Sequence, residues 1–503
     1  MRPQERLLIR ADAGVEMGAG HVMRCLAMAQ AWQDGGGRAV FAAAAPPAIE
    51  ARLRQEAIDV VPPGCQPGSE ADAQQTIELA RRQQAVWVVV DGYHFGGDYQ
   101  RAIKDSGLRL MVMDDYGHSD HYWADLVLNQ NPHAAETLYC KREPHTRLLL
   151  GTPYVLLRRE FLRWRDWRRE IPDTACKILV ALGGSDHRNA SLLAVEAIAR
   201  LGLAGLEATV VVGPGNPHLA QLAQAAERTS GAVSLRTDVN DMSELMAWAD
   251  VALVGGGSTN WEHAFMGLPS LMIVLAENQR PVVERLEALG VGVNLGDFDQ
   301  LTAETVARRL KDILSDRSRR QSMSHSGRRL IDGDGAARVL MHLDGRRLRL
   351  RRAGSDDCKL LWQWANDPET RANSFSSEPI PWETHVQWLA AVLADPQCQL
   401  LLALDSQDRP IGQVRFDGAD RRPVLSVSIA RPFRGMGYGS ELIGLAVGEL
   451  FRQRPITAVV ARVKPENRAS IRAFQKAGFS YVGTDEARGH AAAEYVRYRD
   501  DHE

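Results

Sequence analysis

Two doubly wound α/β lobes followed by an α+β domain are the fold that this 503-residue sequence predicts. Three observations lead there. Short apolar runs alternate with helical patterns from the start to about residue 340, the pattern of β-α units stacked around mainly parallel sheets. Near Leu348 that alternation gives way to a strand, a tryptophan-rich helical stretch and then strands in succession. At three places a strand runs through glycines into a helix, at Gly18–Gly20, Gly255–Gly257 and Gly435–Gly439. About 150 residues per domain implies roughly three domains, and the pattern divides the chain at 1–160, 161–345 and 346–503.

In the first segment the strands are read at Leu7–Asp12, Arg38–Ala44, Val86–Asp91, Leu108–Asp114 and Leu126–Asn129. Ligands of open α/β sheets sit beyond the carboxyl ends of the strands. Asp12, Asp91, Tyr93, His94, Asp114, Asp115 and Asn129 therefore gather on one edge, although each alone could be a cap or turn residue. Leu148–Phe161 and the charged stretch Trp164–Pro172 read as a connection. A second series follows with strands from Lys177, at Ala208–Gly213, Val233–Arg236, Val251–Gly255 and Ser270–Leu275, and a helix near Leu301–Asp316.

Composition narrows the partners. The chain is 45% hydrophobic and 24% charged, with a net charge of -3, which gives no basic field for nucleic acid or an anionic membrane. Arginine clusters at Arg158–Arg169 and Arg346–Arg352 read as solvated surface. The six cysteines, at 25, 65, 140, 176, 358 and 398, show no C-x-x-C pair and no metal-type spacing, so reduced thiols and no metal site are expected. Without a signal region or an apolar run of about 18 residues, cytoplasm is the expected location. Nothing indicates an oligomeric state.

The glycine turns carry the chemistry. Gly18, Gly20 and His21 fall at a helix start, where free N–H groups favour an anion and glycine admits a close approach. His21 is the nearby group able to move protons near neutral pH. A tight turn with a surface histidine is the plainer alternative. In the second series, Gly255-Gly-Gly257-Ser258-Thr259 opens another helix and suits a diphosphate, with Glu262 one turn in to accept from ribose hydroxyls. No Gly-Lys-Ser/Thr follows, so this is not a P-loop. Here too a capped turn would be the plainer reading.

Gly18-Ala-Gly20-His21-Val-Met-Arg24, Gly183-Gly-Ser-Asp186, the Gly255–Glu262 junction and Glu277-Asn278-Gln279 together resemble the UDP-sugar hydrolase family of pseudaminic acid biosynthesis. That family is similar to the GT-B-fold transferase that moves GlcNAc in peptidoglycan synthesis. The resemblance covers about residues 5–340 and implies two Rossmann-like, GT-B-like lobes. It also implies metal-free hydrolysis of UDP-2,4-diacetamido-2,4,6-trideoxy-β-L-altrose to the free sugar and UDP. By this likeness His21 is the catalytic histidine. The second-lobe residues Gly257, Ser258, Thr259, Glu262, Asn278 and Gln279 hold UDP by the same likeness; Gly20 and Arg24 are expected at the substrate, and Tyr93, Asp114 and Asn129 either contact the sugar or orient His21.

Beyond Leu348 come helices bearing Trp362, Trp364, Trp382 and Trp388, then strands at Leu400–Leu404, Ile411–Phe416 and Val424–Ile429. Arg434-Gly435-x-Gly437-x-Gly439-Ser440 precedes a helix over Glu441–Arg452, and strand Ile456–Val463 leads to Asn467-Arg-Ala-Ser470 and Gly478-Phe479. This resembles the GNAT acetyltransferases. The likeness implies that acetyl-CoA is a cosubstrate with no tightly bound cofactor, held by Ile429, Arg434, Gly435, Gly437, Gly439, Ser440, Asn467 and Ser470. The tryptophan-rich start is most similar to the acetyltransferase of the same pathway, which acts on a UDP-4-amino sugar. Phe474 stands where many of these enzymes place a tyrosine acid, leaving Tyr438, Tyr481 or water for that role.

The expected activity is N-acetylation of a UDP-4-amino sugar followed by loss of UDP, within flagellin-type glycosylation chemistry. Two alternatives remain at this point: a glycosyltransferase fused to the acetyltransferase, or a UDP-sugar-binding module that delivers substrate to it.

Overall fold

The computed structural model describes residues 5–14, 18–213, 215–237, 239, 241–343, 348–405, 408–418, 422–434, 438–487 and 489–499. Chain contacts divide it into two compact units, Met1–Leu340 and Met341–Glu503.

The first unit carries two sheets. In the first, β1 (Arg6–Ala11), β2 (Arg38–Ala42), β3 (Asp59–Val61), β4 (Ala85–Asp91), β5 (Leu110–Met113), β6 (Leu126–Asn129) and β7 (Arg147–Leu150) lie in the order 3-2-1-4-5-6-7. Every pair is parallel. Runs such as Ala-Val-Trp-Val-Val-Val in β4 suit a strand covered on both faces, and its centre from Trp87 onward is buried. The second sheet, β8 (Lys177–Ala181), β9 (Glu207–Val211), β10 (Val233–Arg236), β11 (Val251–Gly255), β12 (Ser270–Val274) and β13 (Gly292–Asp297), repeats the plan in the order 10-9-8-11-12-13. Both are doubly wound, so strand order reverses beside β1 and β4 in one and beside β8 and β11 in the other. Crevices form at those two points.

β3, β7 and β13 are not among the strands read from the sequence. β7 falls in the stretch read as a connection, and only after Leu150 does the chain leave the sheet. The lobes are tied by that connection and by the return of the chain. Arg159 donates to Gln30 O and to Asp34, and Arg338 donates to Pro153 O. A Cβ on Gly335 would fall 2.0 Å from Val155 O, so only glycine permits this approach.

The second unit holds a seven-stranded mixed sheet ordered 14-15-16-17-18-20-19. Its strands are β14 (Arg349–Arg352), β15 (Cys398–Leu404), β16 (Pro410–Asp417), β17 (Val424–Ile429), β18 (Ala458–Val463), β19 (Ser480–Ala487) and β20 (His490–Tyr498). The helix Tyr438–Gln453 buries Leu442, Ile443, Ala446, Val447, Leu450 and Phe451 against it. The final hairpin, β19–β20, is a further addition to the sequence reading. The architecture is therefore the expected α/β class: two Rossmann-like, GT-B-like lobes and an α+β GNAT-like domain.

Candidate functional site

His21 opens its helix, Gly20–Asp34, directly after β1, and Asp91 ends β4, so the two meet at the crevice of the first lobe. His21 Nδ1 lies 2.6 Å from Asp91 Oδ1. Arg24, one turn along the same helix, grips both oxygens of Asp91, from Nε and Nη2 at 2.6 Å each. Its Nη1 reaches Asp115 Oδ1 at 2.7 Å. Asp91, held ionised by Arg24, can only accept, so the 2.6 Å contact puts the proton on His21 Nδ1 in preference to the longer 3.2 Å approach of Arg24 Nη2 to that nitrogen, and in the neutral imidazole Nε2 is then the acceptor.

Burial works to raise the Asp91 carboxyl, but the Arg24 charge and the His21 contact outweigh it and hold the group far below the usual carboxylate range. Asp115 behaves likewise, with burial opposed by Arg24. The Tyr93 hydroxyl donates to Asp115 Oδ2 at 2.9 Å, and its ring stands edge-on to His21 with centroids 5.0 Å apart. Asn278 of the second lobe stands close enough to the Tyr93 hydroxyl to ease its ionisation, so the two lobes come together beside His21.

The second glycine junction faces the first. A Cβ on Gly20 would sit 3.6 Å from Ser258 Oγ, and one on Gly257 would meet nothing within 4 Å. Thr259 begins the helix Thr259–Met266 and Ser258 makes no side-chain cap bond; Asn260 and Trp261 donate to Gly257 O and Ser258 O, while the N–H groups of Gly257, Ser258 and Thr259 have no partner among the described residues and can meet an acceptor. Gln279 Oε1 accepts from the N–H groups of Gly256 and Leu275, fixing the turn. Glu262 gives Oε1 to Arg158 at 2.9 Å; its carboxyl is raised by burial, against the pull of Arg158.

Three expected contacts take other places. Asp114 is 1% exposed and accepts from the N–H groups of Tyr116 and Gly117, from the Tyr122 hydroxyl and from His118, so it builds the loop after β5. Asn129 is fully buried, donating to Asp115 O and the Tyr139 hydroxyl. Both support Asp115 and its loop from beneath. Arg24, expected to bind substrate, is engaged with two carboxylates and has a side chain only 9% exposed. Asp91 and Asp115, read from the sequence only as polar strand ends, are the carboxylates on which this side of the cleft is built.

Asp114 yields a stability prediction. Burial pushes its carboxyl up, yet His118, Tyr122 and the Gly117 N–H together bring it down to about 2. A lowered folded-state value means that the stabilisation is complete above the unfolded value near 4. It is lost as pH falls towards 2, and amounts to about 2 kcal/mol. Denaturant unfolding between pH 6 and 3 is expected to show a smaller acid-dependent loss in Asp114→Asn than in the parent; equal losses would refute the assignment.

In the second unit, β17 pairs with β16 along its whole length. With β18 it pairs only at Val424 and Leu425, so from Ser426 onward the two strands part and leave backbone groups facing a wedge. Gly439 and Ser440 lie in the first turn of the helix next to it, and a Cβ on Gly439 would meet Ala473 Cβ at 3.4 Å. Gly435 and Gly437 lie outside the described residues. Arg434 is not a free cation: its guanidinium pairs with Asp367 at 2.7 Å and Glu369 at 2.9 Å and donates to Ile429 O. Asn467 caps the helix Arg468–Lys476 through the Ser470 N–H. Tyr438 is buried and Tyr481 lies on the edge strand β19, two strands from the wedge. Trp364 and Trp388 pack on a small core, whereas Trp382 is 40% exposed.

Comparison with known proteins agrees with both units. Residues 178–338 match the glycosyltransferase family 28 C-terminal domain, and residues 347–480 match the acetyltransferase (GNAT) domain. A glycosyltransferase-28-type domain is thus joined to a C-terminal GNAT acetyltransferase domain in one chain. An uncharacterised protein of Methanocaldococcus jannaschii is 22% identical over 94% of this chain and 96% of its own length, so it matches across both units. The spore coat polysaccharide biosynthesis protein SpsG of Bacillus subtilis is 25% identical over 66% of this chain and 95% of its own. The UDP-2,4-diacetamido-2,4,6-trideoxy-beta-L-altropyranose hydrolase of Campylobacter jejuni is 23% identical over 57% of this chain and 98% of its own. Sugar-nucleotide processing and acetylation are the activities these matches support. Among the described residues no helix is long and apolar enough to cross a membrane.

Proposed function

We propose that the first unit hydrolyses a UDP-sugar and that the GNAT domain acetylates the amino sugar from which that substrate is made. The proposed substrate is UDP-2,4-diacetamido-2,4,6-trideoxy-β-L-altrose, and the proposed precursor is its UDP-linked 4-amino form. The observation that carries the reading is the His21–Asp91 pair, clamped by Arg24 and facing the open Gly257–Thr259 helix start across the cleft.

His21 Nε2 accepts a proton from a water as the water oxygen bonds to the anomeric carbon. The bond from that carbon to the phosphate oxygen breaks, and its electron pair leaves with UDP. Proton removal by a positioned histidine contributes a factor on the order of 10² to 10⁴. The helix-start N–H groups receive the charge that develops on UDP, and the free oxygen of Glu262 accepts from the ribose. In the second unit, acetyl-CoA lies in the wedge between β17 and β18, and its pyrophosphate meets the start of the Tyr438–Gln453 helix. Arg434 then orders the 367–370 segment instead of contacting phosphate. The domains so assigned are 1–160 and 161–345 for the hydrolase lobes and 346–503 for the acetyltransferase.

One assay on the full chain tests the scheme. With acetyl-CoA and the UDP-4-amino sugar, CoA release is expected to precede UDP release. With the acetylated sugar nucleotide alone, UDP and free sugar form with no acetyl-CoA. Absence of UDP release from the acetylated substrate, or release only when a sugar acceptor is added, would overturn the hydrolase reading.

A further inference from the structure

Tyr116 is a large aromatic side chain left 44% exposed at the sheet edge that carries His21. Its ring lies 5.1 Å from that of Tyr93, which in turn is 5.0 Å from His21. The two tyrosines differ in how they are held. Tyr93 is tied by its hydroxyl to Asp115, whereas the Tyr116 hydroxyl has no protein partner among the described residues. Tyr116 is instead presented by its backbone: its N–H donates to Asp114 Oδ1 at 2.7 Å and that of Gly117 to the same oxygen at 2.6 Å. Gly117 has φ +78°, and a Cβ there would come within 2.7 Å of Leu138 O, so the turn is packed down tightly. A rigid turn that holds an unsatisfied aromatic ring out of the core contributes little to folding. It does supply a flat apolar surface beside the reacting centre.

We propose that Tyr116, leaning on Tyr93 with the ring planes 48° apart, is the wall against which the sugar ring lies. It would select sugars whose C6 methyl and acetamido methyl groups present apolar surface over fully hydroxylated hexoses. The assignment rests on the UDP-sugar reading of the cleft. It predicts that Tyr116 contributes to binding of the sugar half of the substrate and not of the nucleotide half.

The test uses the full chain carrying His21→Ala, so that substrate stays intact, and calorimetric titration with two probes: UDP and UDP-2,4-diacetamido-2,4,6-trideoxy-β-L-altrose. Adding Tyr116→Ala is expected to weaken the sugar nucleotide about tenfold and to leave UDP within about a factor of two, the scale of one lost aromatic contact. Adding Tyr116→Phe is expected to change neither, since the ring and not the hydroxyl is in use. Unchanged UDP binding also reports that the cleft is intact. Equal weakening of both probes, no weakening of either, or a loss in Tyr116→Phe as large as in Tyr116→Ala would overturn the assignment. If the parent His21→Ala protein bound neither probe, the UDP-sugar reading itself would fail and take the wall with it.

Discussion

His21→Ala is expected to lower the rate of UDP release by a factor on the order of 10³ while leaving the affinity for UDP within about twofold. The reason lies in the ordering of donors around one carboxylate. Asp91 receives four bonds, two from Arg24, one from His21 Nδ1 and one at 3.4 Å from the Cys25 thiol, and none of them can be rearranged without stranding a buried donor. The imidazole is therefore locked with Nε2 as its acceptor, and alanine removes the only group of the dyad able to take a proton. UDP affinity is expected to be spared because the proposed scheme assigns the nucleotide half to the Gly257–Glu262 junction. Turnover by His21→Ala at the parent rate, measured by UDP release, would make the histidine structural.

Asp91→Asn is expected to be nearly as damaging to turnover, and unlike His21→Ala it should also cost stability. The amide keeps the shape but removes the charge. One oxygen is left to accept where His21 and Arg24 now use two, and the NH2 faces a donor, so the His21 tautomer is no longer fixed and a loss on the order of 10³ in kcat is expected. Stranding one member of a buried ion pair costs roughly 3 to 5 kcal/mol. Here the lower end applies, because Asp115 still pairs with Arg24 at 2.7 Å. Urea unfolding at neutral pH would read the stability, and UDP release well below the unfolding midpoint would read the rate. A variant with parent stability and reduced kcat would show that Arg24 is held by Asp115 alone. A variant with parent kcat would remove Asp91 from the mechanism.

Legibility in the sequence followed the range of the interactions. Local periodicity was enough for β1, β4, β8 and β11, and these four strands define both crevices. It missed β3, which has three residues, and the hairpin β19–β20, whose Ser480–Ala487 run is mostly polar and small. The turns at Gly20 and Gly257 were readable because glycine followed by a helix start has a local meaning. The partners of the polar strand ends were not. Asp91 and Asp114 look alike in sequence, each closing an apolar run, yet one points at His21 and the other into its own loop. Arg434 shows the same limit from the other side: its motif position suggested a contact with acetyl-CoA, and the Asp367 with which it pairs stands 67 residues earlier.

The charge of the His21 half sorts the two ends of a substrate. Asp91 and Asp115 carry two negative charges against the single positive charge of Arg24, so one excess negative charge remains when His21 is neutral. Each negative charge of a diphosphate brought to within about 6 Å of that charge would be disfavoured by about 3 kcal/mol at an effective dielectric of 20. A reversed sugar nucleotide would then be outnumbered more than a hundredfold by the productive one. In the proposed step this field is spent: the proton that His21 takes from water balances the excess charge, so the half-site turns neutral as the leaving group acquires its own negative charge.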